Sequence, residues 1–348
     1  MIPSAATKPL IFLLIALVFI IFLVHNDTPV VEKERIFMGT MVQIKAPVPP
    51  GGNSKDIGRA IDSAFVEIAR VEGVFSVYKS DSEISKINRL KKGELLKISA
   101  ETFGLIEKSL KYSKITGGAF DITVKPLVNI WAKAKVEKKL PLPGDIRDAV
   151  AKVGSNDIVL DKAAGTISFK KEGMAIDLGG VAKGYATDRA IIALKGSGVK
   201  DAIVNSGGDL YCMGRRSAKR SWTVGIQHPR SSGKIFLELQ LTDKAVDTSG
   251  DYEKYFMLDG KRYSHIIDPR TGYPIGDGTV SASVIAGDST TADILATALC
   301  VLGAEGLNII DINRGEDAVI VIKKDGKMTS VMTTGLTGRY DVKKKSEL

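Results

Sequence analysis

The chain has 348 residues, 49 Lys and Arg against 40 Asp and Glu, and a formal net charge of +9, a size for one large or two small domains. Two distant cysteines, Cys212 and Cys300, exclude a disulfide framework, and three histidines at no metal-ligand spacing (His25, His228, His265) exclude a zinc site. Any metal must therefore be held by oxygen. The surplus charge sits in scattered lysines such as Lys133, Lys135, Lys138, Lys139 and the run at 343–345, without the interleaved aromatics of a single-strand nucleic-acid binder. The expectation is no nucleic acid and a solvated basic surface able to attract anionic substrates or lipid headgroups.

Residues 10–24 form an unbroken apolar run, preceded by Lys8 and followed by His25, Asn26 and Asp27. With no small-x-small cleavage site and no cysteine for lipidation, it reads as an uncleaved signal-anchor, although a cleaved signal peptide also fits so short a run. The segments expected are an anchor and linker over 1–30, a catalytic domain over 31–340 outside the cytoplasm, and a basic tail over 341–348.

Past a juxtamembrane linker, residues 39–46 alternate like a strand and end in a Pro/Gly cluster. A helix is predicted from Ser54, with Ile57, Ile61, Phe65, Ile68 and Val71 on one face, and a second over 101–115. The lysine-rich stretch 132–148 reads as a surface excursion. Residues 158–160 and 166–169 make a hairpin, a helix runs from after Gly179 and Gly180 to about Lys195, and strands dominate 201–248. A last helix over 291–302 carries Cys300 on its apolar face and precedes strands at 318–322 and 328–332. Strands that mostly follow one another, with a few long helices between them, predict an α+β fold rather than a doubly wound parallel sheet.

Five segments could carry chemistry. IDLGGVAKGYATDRA (176–190) sets two glycines and Lys183 at a helix start, where free amides and the positive dipole end suit a pyrophosphate; spacing alone equally allows a close helix–strand packing. Asp293 and Thr297 in TADILATAL (291–299) lie four apart on a helix, so one carboxylate and one hydroxyl leave the same face, enough for magnesium that keeps waters and substrate phosphates. YSHIIDPRTGYP (263–274) puts His265, the best candidate base of the chain, in a turn-rich loop between strands. TGGAFDITVKPLVNIW (116–131), read as a loop, and VFSVYKSDSEISKIN (74–88), with Phe75 and Tyr78 before a helix cap at Ser82, offer aromatics that could sandwich a planar ring or simply anchor a core.

Together with MGT (38–40), VNSGGDLYCMG (204–214) and AVDTSGDYEKYF (245–256), these segments occur in an order that closely resembles the FAD:protein FMN transferase family, also called the ApbE family. The resemblance covers 38 to about 303. It implies an ApbE-like mixed α/β fold with largely antiparallel sheets, FAD as substrate, Mg²⁺ as cofactor and a client flavoprotein, of membrane respiratory or extracellular electron-transfer type, as acceptor of FMN on a threonine or serine. It further implies Asp293, Thr297 and the main chain of Gly180 as metal ligands, with Thr290 as an additional metal-side contact. Met38, Tyr78, Ala119, Phe120, Asp121, Asp177 and Lys183 would line the FAD site, and His265 would be catalytic. A metal-dependent FAD pyrophosphatase and a non-catalytic flavin-binding protein are the rival readings.

Overall fold

In the computed structural model, which describes residues 28–276, 278–312 and 315–348, the chain opens with β1 (Val30–Phe37) and β2 (Thr40–Pro47). Met38 and Gly39 join them, both at positive φ (50° and 71°), the two-residue hairpin whose twist matches the strands. There follow α1 (Ser54–Phe75), α2 (Glu83–Ile87), β3 (Leu96–Lys97), α3 (Ala100–Ile115), α4 (Lys125–Glu137), α5 (Pro143–Val150), β4 (Ile158–Asp161), β5 (Thr166–Phe169) and α6 (Ala182–Gly196). The second half holds β6 (Ala202–Ser206), β7 (Asp209–Met213), β8 (Trp222–Gln227), β9 (Ile235–Leu241), β10 (Lys244–Gly250), β11 (Tyr255–Leu258), β12 (Lys261–Ser264) and β13 (Thr279–Ala286). It closes with α7 (Ser289–Leu302), α8 (Leu307–Ile312), β14 (Asp317–Lys324), β15 (Lys327–Met332), α9 (Thr334–Arg339) and β16 (Val342–Lys344).

Eight strands form one sheet in the order β1-β2-β6-β7-β10-β13-β14-β15, and every neighbouring pair is antiparallel. Side-chain alternation divides its two faces. Val42, Ile44, Val204, Tyr211, Ala245, Ala282, Val284 and Ile320 join the main core under α1, α6 and α7. On the opposite face Cys212, Val246, Val319 and Val321 pack with Trp222, Phe236 and Leu239 of the small sheet β16-β9-β8. This mixed, antiparallel α+β architecture is the one the strand order predicts.

The predicted helices from Ser54, over 101–115, after Gly180 and over 291–302 are all present. Asn53 and Ser82 cap α1 and α2, their side chains accepting from Lys55 N and Ser85 N. The structure corrects three expectations. The linker after the apolar run contributes β1, whose alternation is masked by exposure of its charged residues. The excursion at 132–148 is largely helical, and the loop expected over 116–131 becomes a 3-10 turn, Ile122–Val124, followed by α4. Pro126 and Pro143 sit in the first turns of α4 and α5, where proline suits a helix. Leu127, Trp131, Ile146 and Ala149 bury a small satellite core with Ile267.

The expected anchor, residues 10–24, lies outside the described residues. Among those described, the helical stretch Ser289–Ile310 is long and apolar enough to cross a bilayer by composition, but the side chains of α7 fill the main core.

Candidate active site

Glycine decides how closely α6 and α7 approach. A Cβ on Gly184 would lie 2.3 Å from the Ser289 carbonyl oxygen and 2.9 Å from Asp293 Cβ, so only glycine allows the first turn of α6 to rest on α7. That contact lets the Gly184 N–H donate to Asp293 Oδ2 at 3.1 Å. One residue earlier, Lys183 pairs with Asp209 and stands 3.9 Å from Asp293 Oδ1. Gly180 completes the approach: a Cβ there would sit 3.0 Å from Thr297 Oγ1, so the bare main chain of the loop faces that hydroxyl.

Two clefts of about 480 and 300 Å³ adjoin at this point and share Tyr78, Asp177, Gly179, Lys183 and Lys254 in their walls. Met38 lines the first; Ala119, Phe120, Asp121, Gly180, His265, Asp293 and Thr297 line the second. Every residue singled out for metal, flavin or proton transfer from the sequence, Thr290 excepted, therefore borders one connected space. Thr290 does not line it; its hydroxyl donates to Asp188.

The environment of each group differs. Tyr78 is 93% exposed and stands at the rim with the Lys125 ammonium 5.9 Å from its ring centre, while Phe75 is buried edge-on against Tyr185. Asp177 accepts from Lys125 and from Gly179 N–H at 3.2 and 2.9 Å. The Asp121 carboxylate turns into the protein, accepting from Thr123, Ser113 and Ser155, and so holds the turn that presents Ala119 and Phe120.

His265 Nδ1 lies 2.9 Å from the Lys254 carbonyl oxygen. A carbonyl only accepts, so Nδ1 carries the proton and Nε2 is the basic nitrogen of the neutral ring. The ring edge is solvent-accessible, yet the protein packed behind it and the Lys254 and Lys183 charges outweigh the carbonyl contact and push its pKa down to about 4.

Beneath the clefts is an acidic floor of which sequence reading assigned only Asp293. Asp209, Asp247 and Asp293 are buried, all pushed up chiefly by burial, Asp209 also by the Asp293 charge and Asp247 also by Asp209 and Asp293. Burial lifts Glu253 in the cleft wall to about 7. Lys183 alone of the cleft lysines pairs with this group; burial opposes its charge, but Asp209 and Asp293 more than restore it and raise its pKa. Asp247 accepts from Ser289 Oγ and Leu210 N–H. The available signal was an acid on the inward phase of strands otherwise apolar there, between Tyr211 and Ser206 and after Ala245.

A sequence model of the ApbE family matches residues 38–321. The chain belongs to the ApbE family. It is similar to proteins named FAD:protein FMN transferase from Vibrio cholerae, 33% identical over 83% of this chain and 86% of that one, and from Klebsiella pneumoniae, 31% identical over 86% and 91%. Among solved structures, the ApbE protein of Thermotoga maritima superposes with a TM-score of 0.77 at 34% identity, covering 86% of this chain and 96% of the other. Family membership accounts for the antiparallel α+β fold and for the order of the sequence motifs around the cleft.

Proposed function

We propose that this chain is an Mg²⁺-dependent FAD:protein FMN transferase, moving the FMN moiety of FAD onto a threonine or serine hydroxyl of a client flavoprotein and releasing AMP. The observation that carries the reading is the meeting, in one connected cleft, of a neutral histidine, a glycine-bordered helix start and a buried surplus of carboxylates. The names of the relatives agree with it.

The donor set fits magnesium. Gly180 carbonyl, Thr297 hydroxyl and Asp293 carboxylate are all oxygen, and they offer a hard cation one acidic ligand with room for waters and phosphate oxygens. Among the described residues no group of three or more His, Cys, Asp and Glu makes a ready metal cage. The acid surplus supplies the electrostatic attraction. When bound, the ion offsets negative charge on the phosphoryl oxygens.

The residues then divide the work. No N-cap side chain bonds to α6; with Ala182 N–H given to the Leu178 carbonyl and Gly184 N–H to Asp293, the helix start offers the FAD diphosphate its dipole and the Lys183 amide. Lys183 is held charged beside that position by Asp209. Met38, Tyr78 and Phe120 provide apolar and aromatic walls for the flavin and adenine rings, and the combined space is within the range of ligand sites. His265 Nε2 takes the proton of the acceptor hydroxyl. The freed oxygen bonds to the FMN-side phosphorus as the bond from that phosphorus to the AMP oxygen breaks, and AMP leaves with the electron pair.

The apolar run at 10–24 is read as a single-pass anchor in the cell membrane, placing the domain over 31–340 on the extracytoplasmic face beside membrane respiratory or extracellular electron-transfer clients. Mass spectrometry of a candidate acceptor incubated with enzyme, FAD and Mg²⁺ tests the chemistry. A covalent FMN adduct on threonine or serine, matched by AMP, is expected. AMP with free FMN and no adduct on two acceptors assigns the pyrophosphatase reaction instead, and intact bound FAD assigns a carrier.

A further inference from the structure

A second groove lies across the eight-stranded sheet from the helices, between β2, β6 and the small sheet. Its walls include Lys45, Arg216, Lys219, Arg220 and Lys343. Lys45 and Lys343 have acid partners, Glu32 and Asp341. Arg215, Lys219 and Arg220 are exposed, and among the described residues none of the three side chains has an acidic partner. They belong to the connection between β7 and β8, and its fourth cation, Arg216, donates from Nη1 to the Thr28 carbonyl at 3.4 Å.

That bond fixes where the loop lies in relation to the apolar run, which ends at Val24. Four residue steps span at most about 14 Å, however the chain runs. The cationic loop is thus tied to a point within about that distance of the run, close to the ~10 Å over which charge acts at 0.1 M salt. β1 leads away from the same point for eight residues, roughly 26 Å at strand rise, to Met38 at the cleft rim.

We infer that the 215–220 loop is a membrane-contact foot, seated on anionic lipid headgroups beside the anchor, with β1 as the strut that holds the FAD cleft clear of the bilayer. The inference rests on reading residues 10–24 as a membrane anchor. It specifies the partner as an anionic lipid surface, because free phosphate would be served equally by a patch anywhere on the domain, whereas this one is tied to the chain's exit from the apolar run. It also specifies the client: the acceptor hydroxyl must stand about one strand length above the headgroups, or on a segment able to reach there.

The test uses the full chain in lipid nanodiscs, one set of phosphatidylcholine and one with a third phosphatidylglycerol, followed by hydrogen exchange. Co-elution with both sets reports the anchor. At least fivefold slower exchange over 214–221 in the anionic discs alone, reversed in 1 M NaCl, is expected. The triple variant Arg215→Glu, Lys219→Glu, Arg220→Glu should stay disc-bound with unchanged melting temperature and lose that protection. Equal exchange of 214–221 in both disc types overturns the foot and leaves the anchor standing. Salt-sensitive co-elution with anionic discs only overturns the anchor and with it the foot as placed here, and co-elution with neither likewise overturns both.

Discussion

In the proposed reaction His265 is the base, and it is available for that because its ring rests neutral. Its Nδ1–H is committed to the Lys254 carbonyl, and burial with nearby lysines lowers the pKa to about 4. The ring is therefore neutral throughout the neutral range, with Nε2 free to accept. In the ligand-free enzyme its ring carbon-bound protons should titrate near pH 4 by NMR, and a midpoint at or above 6.5 would contradict the geometry. Alanine at 265 should lower FMN transfer by about 10²–10⁴-fold while the FAD dissociation constant stays within about threefold; undiminished transfer removes His265 from the mechanism. The histidine was legible because only three exist and one falls in a turn-rich loop. Its tautomer was not, since the partner is the main chain of Lys254, whose position no side-chain pattern encodes. Asp209 and Asp247 escaped for a related reason: their neighbours come from α6 and α7, far away in sequence.

At the scale of elements, the packing of α6 on α7 turns on one missing methyl group. Gly184→Ala puts Cβ against main-chain atoms of Ser289, and the helices must separate at a cost of about 1–3 kcal/mol. Calorimetric melting should show that loss together with a weaker response to magnesium, because Asp293 is held by the Gly184 amide. Gly196→Ala in the same helix meets open space and should be neutral or stabilising by about 0.5 kcal/mol; equal effects from the two would refute the close-approach argument. The helical layer is also joined by Arg70, which bonds Glu67 of α1 and Glu101 of α3, with Arg189 of α6 also reaching Glu67. Arg70 foremost holds both carboxyls below the usual 4.5. Below pH 4.5 the unfolded chain binds more of these protons than the folded one, so the contribution is full above about 4.5 and drains as pH falls through the lower folded values. With Arg70 39% exposed, about 1 kcal/mol is at stake. Arg70→Met should flatten the fall in melting temperature between pH 5 and 3, and an unchanged slope would assign acid sensitivity elsewhere. Long apolar periodicities such as α1 and α7 were readable in advance. β1 and α4 were not: β1 is an edge strand whose charged residues face water, and α4 buries only Leu127, Trp131 and Ala134, too few for a helical period to stand out from its lysines.

Across the whole molecule, three layers of packing converge on a site that the protein leaves electrostatically incomplete. The sheet delivers Asp209 and Asp247, α7 delivers Asp293 and Thr297, and the loop before α6 delivers Gly180, yet among the described residues only Lys183 pairs with these three acids. A divalent cation that binds the folded chain and not the unfolded one must then stabilise it, by about 2.7 kcal/mol at a hundred times its dissociation constant. For a domain of this size that is a rise of roughly 3–6 °C in melting temperature, measurable without FAD or client. Asp293→Asn should remove the rise. The same substitution deletes one negative charge from a crowded floor while its amide oxygen still accepts from Gly184, so the metal-free variant should melt no lower than the metal-free parent. These two directions together separate ligation from folding. A variant that melts lower without metal but keeps the magnesium shift would place Asp293 among the structural acids and leave the cation to Glu253 and the substrate.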